Sequence, residues 1–452
     1  MKHLFHVQLT RLVFLLFLVV LGACGGGGSG SDTTPVTPAA DACSASSQKT
    51  WLRDTMRQTY FWAGLAPDPA PLDGQSLASY FSTLLFTGDA QTPADHWSFI
   101  ADQAAYEQFF EEGTTLGYGL AVNALEGQLP LKIRWVDPGG PAEAAGLARG
   151  DVILSINGVS VAQLLALGDY SVLSPAKAGD VLTLQMTTAQ GSRTVSVTAA
   201  TFALTPVPVA RVLELADGRR VGYLMLKDFV TQARAPLASA FAAFRAAGAS
   251  ELVLDLRYNG GGLISVADTL ASLVAGQAHH GQLFTALVYN PRQARANVNY
   301  WLEATTPGFS RVVILNGRRT CSASELLANG LRPYVEVVIL GESTCGKPVG
   351  FTPVDHCDST VSAVNFEAVN ARGEGRYYSG LAPTCALAED FAGALGDPSE
   401  VLLAAAGHYL VNGQCPAPVA QTEMQRRALA ARHTTAIRQL VEPGGFVGMR
   451  AD

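Results

Sequence analysis

Charge is scarce in this chain: only 15% of its 452 residues are Asp, Glu, Lys or Arg, and the 31 basic residues fall short of the 38 acidic ones. A formal charge of −7 offers no basic surface to a phosphate backbone, so nucleic acid is not expected as a partner. There is no CxxC and no HExxH, and the eight histidines are scattered, which leaves a zinc site without support. No metal or other cofactor is expected. The GxSxG elbow of α/β-hydrolases is missing too. Long apolar runs are also lacking: Leu12 to Leu21 is half of the roughly 20 residues that a membrane-spanning helix needs. What is present is 48% apolar residues, enough for a buried core, in a length that suggests about three domains at roughly 150 residues each.

The first residues read as an export signal. Lys2 and Arg11 precede the short apolar run, and Leu21-Gly22-Ala23-Cys24 closes it with small residues. This ending resembles a bacterial lipobox. The resemblance implies a signal peptide over 1–23 and lipidation of Cys24, with acyl chains that tether the protein by burying methylene groups in a membrane. Gly25 after the cysteine then implies sorting to the periplasmic side of an outer membrane, within a bacterial cell envelope. Residues 24–42 are rich in Gly, Ser, Thr and Pro and have no apolar face to pack, so they are expected to be a flexible tether. Six cysteines remain, an even number in an exported chain, which favours disulfides. Six allow 15 pairings. The expected set is Cys321 with Cys345, Cys357 with Cys385, and Cys43 with Cys415, although spacing alone leaves connectivity open.

Residues 43–112 carry helical patterning, with Trp51, Leu52, Met56, Tyr60, Phe61 and Trp62 at mixed three-to-four spacing, and are read as a helical cap. Over 113–204 the texture changes to short β-like runs separated by Gly and Asp turns. Within this stretch, Leu116-Gly117-Tyr118-Gly119-Leu120 and the later PGGPAEAAGL and GDVILSING segments resemble a PDZ domain. In that family the first motif is the loop whose backbone N–H groups receive a peptide's carboxylate. From 205 to 410 strand-like and helix-like segments alternate, which argues for parallel βαβ units. Residues 411–452 are read as a tail with one helix, ALAARHTTAIRQL, and a glycine-bearing end. The fold class is thus a multidomain α+β chain: helical cap, PDZ-like module and α/β domain.

Two segments carry candidate chemistry. Asp255-Leu256-Arg257-Tyr258-Asn259-Gly260-Gly261-Gly262 ends a strand in three glycines before a helix, a turn that can present N–H groups to an anion. Cys321-Ser322-Ala323-Ser324-Glu325 places a serine at a helix start, and Lys347 follows the next strand. A crossover can bring these two to one sheet edge. Taken alone, Ser322 is an N-cap with Glu325 completing a capping box, and Lys347 alone is a solvated charge.

These motifs, in order with Asp95-His96-Trp97-Ser98 and the PDZ segment, resemble the C-terminal processing peptidases, serine peptidases with a Ser-Lys dyad. The resemblance implies a ClpP/crotonase-like peptidase domain, Ser322 as nucleophile and Lys347 as general base. It also implies an oxyanion hole from the backbone of Ala323 and of Gly260 or Gly261, and protein or peptide substrates with extended segments. A lysine can act as base only if uncharged, which burial favours. Two positions depart from the pattern. Phe351 stands where many relatives carry a glutamine that orients the lysine, and Pro348 stands where they often carry glycine. These departures motivate an alternative, a peptide-binding lipoprotein of the same fold without turnover.

Overall fold

The computed structural model describes residues 42–123, 129–167, 169–188, 191–417, 446 and 448–451. The expected signal peptide, Cys24, the expected tether up to residue 41 and the helix expected near 428–440 lie outside the described residues. No helix among the described residues is long and apolar enough to cross a membrane.

The α/β part is built on a six-stranded sheet in the order Val209–Glu214, Arg220–Met225, Glu251–Asp255, Arg311–Asn316, Glu336–Gly341, Cys385–Ala386. All neighbours run parallel except the first pair. The inner strands are near-continuous Val, Leu and Ile because both faces are covered. Alternate side chains feed two cores: Leu252, Leu254, Val312 and Ile314 join one, and Val253, Val313 and Leu315 join the other. Helices Arg234–Ala246 and Ile264–Ala275 cover the first face. Leu237, Ala240, Phe241 and Phe244 recur at three-to-four spacing and are all buried, so the helix exists as an amphipathic lid on this core. A second six-stranded sheet runs Gly261–Leu263, Gly448–Arg450, Val349–Phe351, Phe366–Asn370, Leu283–Tyr289, Val298–Trp301, and its Phe284, Phe366 and Met449 enter the same core.

The β-rich module forms a sheet in the order Leu120–Val122, Leu131–Val136, Val152–Ile156, Val181–Thr188, Gly191–Thr198. Its entry and exit strands, Thr114–Gly117 and Ala200–Ala203, pair with each other antiparallel. Residues 43–112 are not wholly helical. Helices Ala45–Thr59 and Leu77–Thr83 are followed by a strand, Phe99–Asp102, that pairs with Ser359–Ser362 of a distant hairpin. Partners more than 250 residues away leave no local signal. Phe86, Trp62 and Trp97 stack in succession, and Trp97 meets Tyr378 at a tilt, fastening the cap to the α/β part.

Cysteine connectivity differs from expectation in two bridges. Cys321 joins Cys345, but Cys357 joins Cys43 and Cys385 joins Cys415. The reason is topological. Cys357 sits at the tip of the hairpin Val354–Ser362, whose His356 stacks on Trp51 of the first cap helix beside Cys43. Cys385 begins the last strand of the parallel sheet, and the residues after helix Val401–Asn412 return to it. Peptide mapping of the non-reduced protein is expected to recover Cys43 linked to Cys357, and Cys385 linked to Cys415. Recovery of Cys43–Cys415 would refute this arrangement.

Candidate active site

Three loops meet at the C-terminal ends of the parallel strands, where open α/β sheets place their sites. The turn after Glu251–Asp255 carries Asn259 to Gly261, the loop after Arg311–Asn316 carries Ser322, and the loop after Glu336–Gly341 carries Lys347. They are stitched together through the main chain. Cys321 N–H donates to Asn259 O (3.1 Å), Cys345 N–H to Thr320 O (3.0 Å), and the Thr320 hydroxyl to Leu256 O (2.8 Å).

At their junction sits Glu325, with 0% of its surface exposed. Its Oε2 accepts from the N–H of Ser322 and from the N–H of Lys347, each at 2.8 Å. The two nitrogens are therefore less than twice that distance apart. Its Oε1 accepts from Gly346 N–H (2.9 Å) and from the Thr344 hydroxyl (2.5 Å). Burial pushes this carboxyl up from the ordinary range, and the four donors hold it against that push. Glu325 was visible in the sequence only as a capping-box partner. Its second set of donors, about twenty residues on, gave no sign there. Cys321 and Cys345 lie against the same carboxylate, with their sulfurs joined to each other.

Ser322 has φ 60° and ψ −111°, a left-handed backbone that costs a non-glycine residue on the order of 1–3 kcal/mol. It begins helix Ala323–Leu331 and is fully buried, and its hydroxyl has no hydrogen-bond partner among the described residues. Lys347 is 1% exposed. Its amine lies 4.5 Å from the centre of the Phe351 ring, which Phe99 meets edge-on. Burial lowers the Lys347 pKa to about 7, against the opposing pull of Asp95 and Glu325. Asp95 belongs to the cap and is held by the Tyr60 and Ser98 hydroxyls, each at 2.6 Å. His96, by contrast, is exposed.

The expected anion-binding donors divide. Asn259 Oδ1 accepts from Gly261 N–H at 2.8 Å, which commits that donor to holding the turn, so of the two glycines Gly260 remains as the candidate. Ala323 supplies the first N–H of its helix, where main-chain donors lack intrahelical partners. The turn itself is anchored from below. Arg257, wholly buried, binds Asp255 (2.9 Å), Glu400 (2.7 Å) and Glu389 (3.0 Å), and Arg149 of the β-rich module reaches Glu389 and the Tyr258 hydroxyl.

The PDZ-type loop is built separately. Leu116 and Gly117 end the entry strand, Tyr118 O and Gly119 O accept from Ala142 and Asp137, and Leu120 opens an edge strand. No hydrogen bond joins this loop to the Ser322 or Lys347 loops among the described residues.

Comparison with known proteins follows the same division. Residues 220–386 match peptidase family S41, and residues 132–183 match the PDZ domain. The chain carries an S41 peptidase domain and a PDZ domain. It is 32% identical over 243 residues to the carboxyl-terminal-processing protease of Picosynechococcus, covering 52% of this chain and 55% of the relative. To the carboxy-terminal processing protease CtpA of Bacillus subtilis it is 27% identical over 305 residues, covering 66% and 61%. The chain thus spans little more than half the length of these relatives. A crystal structure of a Bacteroides fragilis protein assigned as an S41 protease superposes with a TM-score of 0.65 at 26% identity, covering 80% of this chain and 97% of that one.

Replacing Glu325 with Ala leaves three buried main-chain N–H groups without an acceptor. Urea denaturation is expected to show a loss of at least about 3 kcal/mol, since each unsatisfied donor costs about 1 kcal/mol or more.

Proposed function

We propose that this protein is a serine endopeptidase of the C-terminal processing type, acting on extended segments of exported proteins. The observation that carries this reading is the pairing at Glu325: a strained, buried serine with an unengaged hydroxyl, and a buried lysine lowered to about 7, share one carboxylate oxygen. In this reading neutral Lys347 takes the proton of Ser322 as Oγ attacks the scissile carbonyl carbon. The charge on the carbonyl oxygen is met by the N–H groups of Ala323 and Gly260, each contributing roughly 3 kcal/mol. The lysine then gives its proton to the leaving amine. Water, deprotonated in turn, hydrolyses the acyl-enzyme.

Phe351 does not do the work of the glutamine found in many relatives. It offers the amine an aromatic face instead of a carbonyl, and with Phe99 it keeps water from that side, so neutrality here rests on desolvation. The PDZ domain, with its edge strand at Leu120–Val122, is proposed to receive the substrate tail by strand addition. Lipid attachment at Cys24 is proposed to hold the protein at the envelope membrane. Changing Cys24 to Ser is expected to move the protein from the membrane fraction to the soluble fraction on cell fractionation.

Cleavage of an unfolded protein is expected to fall at least about a thousandfold in Ser322→Ala and in Lys347→Ala. Tight binding without cleavage by the unaltered protein would instead establish the turnover-free binder. The pH dependence has a definite sign. Below about 7 the amine is protonated and cannot accept a proton; above it the amine is neutral and can. The kcat/KM of the unaltered protein should therefore rise through pH about 7 to a plateau, and a profile flat from pH 5 to 9 would exclude Lys347 as the base.

A further inference from the structure

One strand of the second sheet comes from far along the chain. Gly448–Arg450 lies between Gly261–Leu263, which continues the anion-binding turn, and Val349–Phe351, which follows Lys347, and it is parallel to both. Without it, these two strands would face each other across a gap one strand wide, with unpaired main-chain groups on both walls. A peptide placing a carbonyl before Ser322 must run along this gap, because its walls are the two segments that carry the candidate donors and base. We infer that Phe446 and Gly448–Ala451 fill the peptide slot of the S41 domain as a tethered, substrate-like strand, and that the slot selects extended chains with glycine beside Lys347. This inference rests on the peptidase reading above.

The segment is engaged as a peptide would be. Gly448 N–H donates to Gly260 O and Ala451 N–H donates to Phe351 O, both at 3.1 Å. A Cβ built on Gly261 would stand 2.9 Å from Gly448 O, 3.0 Å from Ser322 Cβ and 3.1 Å from Ala323 N, so carbonyl, serine and helix start converge on one point. A Cβ on Gly448 would come within 2.4 Å of Phe351 Cζ and 2.7 Å of Lys347 Nζ. Only glycine fits there. Met449 is fully buried against Gly350 and Phe366, and Phe446 sits among Phe99, Tyr106, Phe109 and Phe110. Arg450 lies over Tyr106 and Phe110 and binds Glu111 at 2.9 Å. These contacts define an aromatic subsite, a glycine position, an apolar subsite and an acidic subsite in sequence.

The test measures binding without turnover, in a Ser322→Ala background, with a fluorescent peptide of the sequence Phe-Val-Gly-Met-Arg-Ala followed by anisotropy. The proteins compared are the full chain, the chain lacking residues 446–452, and the full chain with Gly448→Val, which the slot cannot accommodate. The shortened and Gly448→Val proteins are expected to bind at least tenfold more tightly than the full chain. A peptide with valine for glycine should bind at least tenfold more weakly. Equal binding by all three proteins, indifference to the valine, or loss of a cooperative melt in both altered proteins would overturn the inference, the last by making the strand part of the folded sheet. Peptide binding without any cleavage by the unaltered protein would remove the peptidase reading and leave this one standing. Cleavage that is unaffected by either alteration would do the reverse.

Discussion

The site depends on one buried carboxylate. Glu325 takes the main-chain N–H groups of Ser322 and Lys347 on the same oxygen, and thereby fixes the relative position of two loops that leave different strands of the sheet. A side chain that held only the side chains of these residues would compete with any chemistry they perform. Holding their backbones keeps the clamp's hydrogen bonds off the Ser322 hydroxyl. The charge is tolerable at zero exposure because four donors converge on it, and it opposes the lowering of the lysine only in part. The left-handed backbone at Ser322 is maintained by the same bonds, so strain and clamp are parts of one device.

A second buried cluster supports the first from below. Arg257 gathers Asp255, Glu389 and Glu400, and each carboxylate belongs to a different part of the chain: a strand end, a loop, and a helix N-terminus. Arg149 brings the PDZ domain onto the same loop, and the Arg134 guanidinium lies 4.7 Å from the centre of the Tyr258 ring. Tyr258 immediately precedes Asn259, whose side chain bonds both Leu226 O and Gly261 N–H. The glycine turn is thus gripped from two sides before any ligand arrives.

Much of this was legible in the sequence where the signal is local. The strand runs 252–256 and 312–315 emerged as buried parallel strands, because apolar residues on both faces of a sheet need no alternation. The helices starting near Ile264 and Ser324 were legible from three-to-four periodicity. What escaped was set by distance along the chain. The strand Phe99–Asp102 is stabilised by a hairpin over 250 residues later, and Cys43 meets Cys357 for the same reason. Gly448–Arg450 has a glycine and an arginine in three residues and no strand propensity to speak of; two neighbours make it a strand. The commitment of Gly261 N–H to Asn259 is a matter of side-chain rotamer, which spacing cannot express.

The pairing of Thr114–Gly117 with Ala200–Ala203 has an architectural consequence. Because the PDZ module's two crossings lie side by side, the chain enters and leaves it through one short two-stranded seam, while Ala121 and Trp135 pack into the α/β core beside Tyr258. A module joined in this way can be exchanged or lost by descent with one short splice closing the gap. Arg149 and Arg134 grip Glu389 and the Tyr258 ring away from that seam, so the module and the glycine turn share their points of anchorage.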